Sequence, residues 1–199
     1  MLQFSRSTIN RVIKPVVFIL CLLPLGLLLY AALTDDLGAN PVEKLTHQTG
    51  LWGLYFLLIT LSITPLKKIT GLTWPVSLRR MLGLYAFFYA CLHLSVYFWL
   101  DQSFVWQAII EDIFKRPYIT LGLAAWLLLL PLALTSNQFS MRVLKKNWKR
   151  LHRLVYIASL LVVVHFIWLV KADYAEPLMY LAVLLSLLLM RTRLFRWSS

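Results

Sequence analysis

Charge falls along this chain in short clusters, and between them run six apolar stretches free of Asp, Glu, Lys and Arg: residues 15–34, 45–66, 81–100, 117–141, 154–170 and 177–190. A helix needs about 17 to 25 such residues to cross a hydrocarbon core of about 30 Å. The first five stretches reach that length, and each one commits its backbone to a helix, because lipid offers no partner for an open N–H or C=O. The sixth has an uncharged core of 14 residues. It becomes a span over 175–191 when Ala175 extends it on one side and snorkelling Arg191 or Arg193 on the other. With 60% hydrophobic and 14% charged residues, the expected fold is an all-α integral membrane protein. It is a single transmembrane domain over 1–199 forming a six-helix bundle.

The side on which each charge cluster falls orients that bundle. If the N-terminus is cytoplasmic, 16 of the 20 Lys and Arg lie inside, and only Lys44, Lys115, Arg116 and Lys171 lie outside with all eight acids. That asymmetry is the positive-inside pattern, and it places both termini in the cytoplasm. The net charge of +12 is thereby spent on orientation and on anionic lipid headgroups, so nucleic acid is not the expected partner. The basic residues ahead of the first stretch resemble a signal peptide, but its apolar run is too long for one and reads as a retained helix. The linkers are too short for a Walker loop or a dinucleotide fingerprint. Cys21 and Cys91 lie inside expected spans, and no Cys-x-x-Cys-His motif is present, so any haem is held without covalent attachment.

The chain has four histidines, and two of them, His93 and His165, sit deep in the third and fifth stretches. An intramembrane imidazole is costly without a partner and marks a functional site by default. His93 lies 13 residues beyond Arg80 and His165 lies 15 beyond Arg150, roughly 20 and 22 Å from the inner face on helices running the same way. Matched depth is what a bis-histidine haem requires, with both axial positions of the iron filled and electron transfer rather than oxygen chemistry as its task. The plain alternative is a pair of packing histidines bonded to a carbonyl or to Ser95 or Ser159. A proton or ion pathway normally adds intramembrane carboxylates, and here every acid is at a boundary or outside.

His152, at the inner mouth of the fifth stretch, is either a further haem-associated residue or an interfacial histidine among basic neighbours. It lies about 140° around an ideal helix from His165. His47, at the outer end of the second stretch, reads as an exposed boundary residue. Arg79 and Arg80 orient the third helix, and their guanidinium groups also suit haem propionates or a flavin phosphate. Trp74, Trp99, Trp106, Trp148 and Trp197 fit interfacial aromatic belts.

The run from Arg79 to His93, with Thr49-Gly50-Leu51-Trp52-Gly53 ahead of it, Lys115-Arg116-Pro117-Tyr118-Ile119-Thr120-Leu121-Gly122 after it, and Trp148-Lys149-Arg150-Leu151-His152-Arg153-Leu154-Val155-Tyr156 further on, resembles the MsrQ (formerly YedZ) family. These are the haem-binding membrane subunits of the bacterial periplasmic methionine sulfoxide reductase system, within the ferric-reductase-like transmembrane superfamily. The resemblance covers essentially the whole chain. It implies a multi-pass b-type cytochrome of the bacterial inner membrane that passes electrons to a periplasmic molybdopterin reductase, MsrP, which repairs oxidised methionine. It further implies the quinone pool as donor, a cytosolic flavin reductase as another proposed donor, and FMN as an additional cofactor. His93, His152 and His165 match the family's haem-associated histidines, with His93 and His165 as iron ligands. Two-haem relatives such as NADPH oxidases carry two histidines on each corresponding helix. Here Arg79 stands near where the inner histidine of the third helix would be, which leaves one haem or two. Two other classes stay open: a self-contained transmembrane reductase of ferric iron or another small acceptor, and a haem-free transporter or structural membrane protein.

Overall fold

The computed structural model describes residues 4–196, with side chains as far as Arg191; the side chains of Arg193 and Arg196, and Trp197, lie outside the described residues. Those residues form helices and no strand: α1 Arg6–Leu33, α2 Pro41–Thr70, α3 Arg79–Asp101, α4 Trp106–Lys115, α5 Pro117–Leu134, α6 Gln138–Leu144, α7 Lys146–Leu169 and α8 Ala175–Arg196. Five of them, α1, α2, α3, α5 and α7, are long and apolar enough to cross a membrane.

Local chemistry sets the boundaries. Asn40 caps α2 by accepting from the Glu43 N–H at 3.2 Å, with Pro41 at the first helical position, and Gly71 ends the helix at φ +71°, a left-handed conformation that glycine adopts without a Cβ clash. The charge-free stretch 117–141 was expected as one helix, but α5 stops at Leu134. The hydroxyls of Thr135 and Ser136 fold back onto the Pro131 and Leu132 carbonyls, and Asn137 caps α6 by accepting from the Ser140 N–H at 2.7 Å. A Thr-Ser-Asn run offers the backbone side-chain partners that compete with the helix ladder. Charge counting is blind to it.

The chain divides into two compact units, Met1–Ser103 and Phe104–Ser199. In the first, α2 buries Leu54, Leu57, Leu58 and Leu61 along α3, which presents Leu82, Tyr85, Ala86 and Tyr89. The α1 helix is stitched to α3 through its own backbone. Tyr85 Oη donates to the Phe18 carbonyl at 2.8 Å. Tyr89, 0% exposed, donates to the Cys21 carbonyl at 2.9 Å and accepts from the Leu25 N–H at 3.1 Å. In an unbroken helix Leu25 N–H would bond Cys21 C=O directly, so the tyrosine hydroxyl stands inside the ladder, next to Pro24. Insertions of this kind accompany helix bends. Neither Cys21 nor Cys91 is in a disulfide.

In the second unit, α5 and α7 pack through Ala125, Leu129 and Leu132 on one helix and Ala158, Ser159, Val163 and Phe166 on the other. The α8 helix joins α7 where Phe166 meets Tyr180 with ring centroids 6.1 Å apart. Arg191 donates to the Tyr156 hydroxyl and stands 5.2 Å over its ring. The short α4 is amphipathic: Ile109 is buried, Trp106, Ile110 and Phe114 are exposed, and the charges pair as Lys115 with Glu111 and Arg116 with Asp112. Lys115 holds the Glu111 carboxyl below the usual range.

Replacing Tyr89 by Phe keeps the ring and removes both bonds to α1. The unfolding free energy in detergent is expected to fall by about 1–2 kcal/mol, seen as an earlier transition in a dodecyl sulfate titration. An unchanged transition would mean that Leu25 N–H and Cys21 C=O re-form the ladder at no cost.

Candidate functional site

A helix carbonyl has two lone pairs, one used by the N–H four residues on, so it can accept a second donor from a neighbouring helix. The intramembrane histidines use this spare capacity. On α3, His93 Nδ1 lies 2.8 Å from the Thr46 carbonyl of α2. On α7, His165 Nδ1 lies 2.6 Å from the Tyr118 carbonyl of α5. A carbonyl only accepts, so Nδ1 carries the proton in each ring. In the neutral imidazole Nε2 is then the nitrogen that carries the lone pair.

Access to each carbonyl is opened by a glycine one turn further along. A Cβ on Gly50 would stand 3.0 Å from His93 Nδ1 and 3.2 Å from its Cε1. A Cβ on Gly122 would stand 2.9 Å from His165 Nδ1 and 3.0 Å from its Cε1. The two arrangements share one spacing: Thr46 and Tyr118, Gly50 and Gly122, and His93 and His165 are each separated by 72 residues. One device is therefore built twice, once in each unit. Thr46, Tyr118 and the roles of the two glycines were missed in the sequence. The signal that finds them is the repeated glycine-to-histidine interval, visible to a search for internal repeats.

This donor set fits axial ligation of a haem iron. Metal-bound histidines characteristically donate the second ring N–H to a carbonyl, which fixes the tautomer and raises the basicity of the ligating nitrogen.

His152 is held differently. It sits in a turn that interrupts α7 between Leu151 and Leu154, so the ideal-helix angle to His165 does not apply. Its ring stacks on Trp148 at 3.9 Å between centroids and 26° between planes. Its Nδ1 donates to the Trp148 carbonyl at 3.1 Å, and Nε2 lies 3.5 Å from Ser136 Oγ. Trp148 is itself tied down, its indole N–H donating to the Thr135 carbonyl at 2.9 Å. The turn that delivers Trp148 runs through Lys145 at φ +46°, a conformation costing a non-glycine residue about 1–3 kcal/mol. Arg79 donates to Thr64 Oγ1 at 2.8 Å, Arg80 is exposed at the same end of α3, and His47 is exposed on α2.

The family model for the ferric reductase like transmembrane component matches residues 49–176. A protein of Xanthomonas euvesicatoria pv. vesicatoria named protein-methionine-sulfoxide reductase heme-binding subunit MsrQ is 59% identical over 155 residues, 78% of this chain and 71% of that protein. Proteins of the same name from Xanthomonas oryzae pv. oryzae and Herminiimonas arsenicoxydans are 53% and 47% identical, covering 92% and 90% of this chain and 86% and 84% of theirs. The chain belongs to the MsrQ family. It is a multi-pass membrane protein with a ferric-reductase-like transmembrane component. The matched region of this MsrQ-family chain takes in Gly50, His93, Gly122, His152 and His165, while Thr46 lies just ahead of it. No solved structure matches.

Trp148→Leu removes the ring beneath His152 and the bond to Thr135. It is expected to destabilise the protein by about 1–3 kcal/mol in thermal unfolding in detergent, whereas Trp168→Leu, at a residue 61% exposed, should leave the midpoint unchanged.

Proposed function

We propose that this protein is the b-type cytochrome membrane subunit that carries electrons across the bacterial inner membrane to a periplasmic molybdopterin methionine sulfoxide reductase of the MsrP kind. His93 and His165 would hold the haem iron. The observation that carries the reading is the recurrence, at a 72-residue interval, of an imidazole whose Nδ1–H is given to a main-chain carbonyl, the tautomer in which Nε2 carries the lone pair. Kinship at 47–59% identity with proteins named as heme-binding subunits supports it. Haem b, when bound, supplies a one-electron carrier.

The chain's own residues hold that carrier. The Thr46 and Tyr118 carbonyls keep the two imidazoles in the ligating tautomer. His152, stacked on Trp148, is the inner haem-associated residue, with one haem or two per chain. Arg80, exposed at the start of α3, and Arg79 beside it provide guanidinium groups for propionates or for the phosphate of FMN. Electrons enter from the quinone pool or from a flavin donor such as a cytosolic flavin reductase. The sulfoxide chemistry belongs to the partner. The charge asymmetry along the chain supports a sixth crossing by α8 and cytoplasmic termini.

A dithionite-reduced minus oxidised spectrum of the detergent-purified protein, with pyridine haemochrome quantification, tests this. The expected result is a b-type spectrum at one or two haems per chain. His93→Ala or His165→Ala should each lose haem and His47→Ala should keep it; full haem content in both central variants, with the fold intact, removes the ligand assignment. The ferric-reductase-like match favours one second reading, a self-contained reductase. Rapid reduction of ferric chelates by the isolated, reduced protein without a partner would support it.

A further inference from the structure

We propose that Gly50 and Gly122 are positioning residues that set the orientation and hydrogen bonding of the two imidazoles, and through them the electron affinity of the iron those imidazoles ligate. The proposal rests on the haem reading for its redox consequence, and on the geometry alone for its structural part.

In a helix the carbonyl of residue i points at residue i+4. A donor arriving from a neighbouring helix therefore passes beside the Cβ of that residue. Gly50 is four residues after Thr46 and Gly122 is four after Tyr118, so each glycine occupies the place whose side chain would block the approach. The blocking is specific to the ring. All three nearest atoms to a Cβ built at Gly50 belong to His93, and all three at Gly122 belong to His165. Gly53 and Gly83, on the same two helices as the first pair, behave differently. A Cβ there would meet its nearest neighbours at 3.6 and 3.7 Å, ordinary contact distances. The glycines at the histidines are thus distinguished from those that serve helix packing.

A methyl group at Gly50 or Gly122 leaves the ring two responses: it rotates about χ2, or it retreats from the carbonyl by a few tenths of an ångström. Either one weakens the Nδ1–H···O bond. That bond makes the imidazole a more electron-rich ligand, which favours the oxidised iron, so weakening it favours the reduced iron. The 72-residue recurrence of carbonyl, glycine and histidine argues that both sites use the glycine for this purpose.

The test compares Gly50→Ala and Gly122→Ala with Gly53→Ala and Gly83→Ala in the full-length holoprotein, with His93→Ala and His165→Ala alongside. Haem content, low-spin electron paramagnetic resonance and midpoint potential are read for each, and 15N-histidine NMR is recorded on the haem-free protein. Gly50→Ala and Gly122→Ala should keep haem and change the low-spin g values. They should also shift the oxidised-to-reduced equilibrium roughly tenfold toward reduced, which is about +59 mV for one electron; Gly53→Ala and Gly83→Ala should match the wild type. The NMR signal of the Nδ1–H tautomer should move in the first two variants only. Unchanged g values, potential and NMR signal in Gly50→Ala and Gly122→Ala would overturn the proposal. Loss of the fold in those variants would also overturn it, because an orientation role leaves the helix pair intact. If the histidine variants keep their haem, the ligand reading fails by itself, and the NMR comparison still decides the positioning role.

Discussion

An imidazole inside a membrane protein must give its N–H to something, and in this protein it gives it to the backbone of the next helix. The bonds from His93 to Thr46 and from His165 to Tyr118 meet a cost that would otherwise oppose burial of a polar ring by several kcal/mol. Much of the surrounding structure follows from them. The accepting carbonyl must lie within about 3 Å of the ring, so α2 and α3 in one unit, and α5 and α7 in the other, are brought into close contact at that level. The residue one turn past each carbonyl is a glycine, where a Cβ would crowd the ring. The tautomer is decided as well, with the lone pair of each neutral ring on Nε2.

The same economy runs through the rest of the molecule. Side-chain partners are scarce in a lipid-facing bundle, and several polar side chains bond main-chain carbonyls instead. Tyr85 and Tyr89 bond the backbone of α1, the Trp148 indole bonds Thr135, and His152 bonds Trp148. The helix-to-helix bonds among them, from Tyr85 and Tyr89 to α1, are individually modest, but each fixes a register that apolar packing alone would leave free to slide.

Most of the helices could be read from the spacing of charge, because lipid admits only helices and charge marks their ends. The failure at Thr135 to Asn137 has the same origin: a stretch without charge carries no mark where a helix stops for other reasons. His93 and His165 stood out because a titratable group in an apolar run demands a partner. Gly50 and Gly122 did not, since a lone glycine in an apolar run reads as a weak helix position or a packing site. His152 was ambiguous in sequence, and the turn at its position explains why an ideal-helix projection could not resolve it.

By itself the sequence determined that this chain is helical, lies in a membrane, and carries two histidines where hydrocarbon makes them expensive. These properties depend on residue type and on spacing along one helix, both of which are local. Which carbonyl each histidine reaches, which glycine clears its path, and which ring nitrogen keeps its lone pair were decided only by tertiary structure. Each involves residues 43 to 47 positions apart in the chain, and no local rule connects them until two helices have packed.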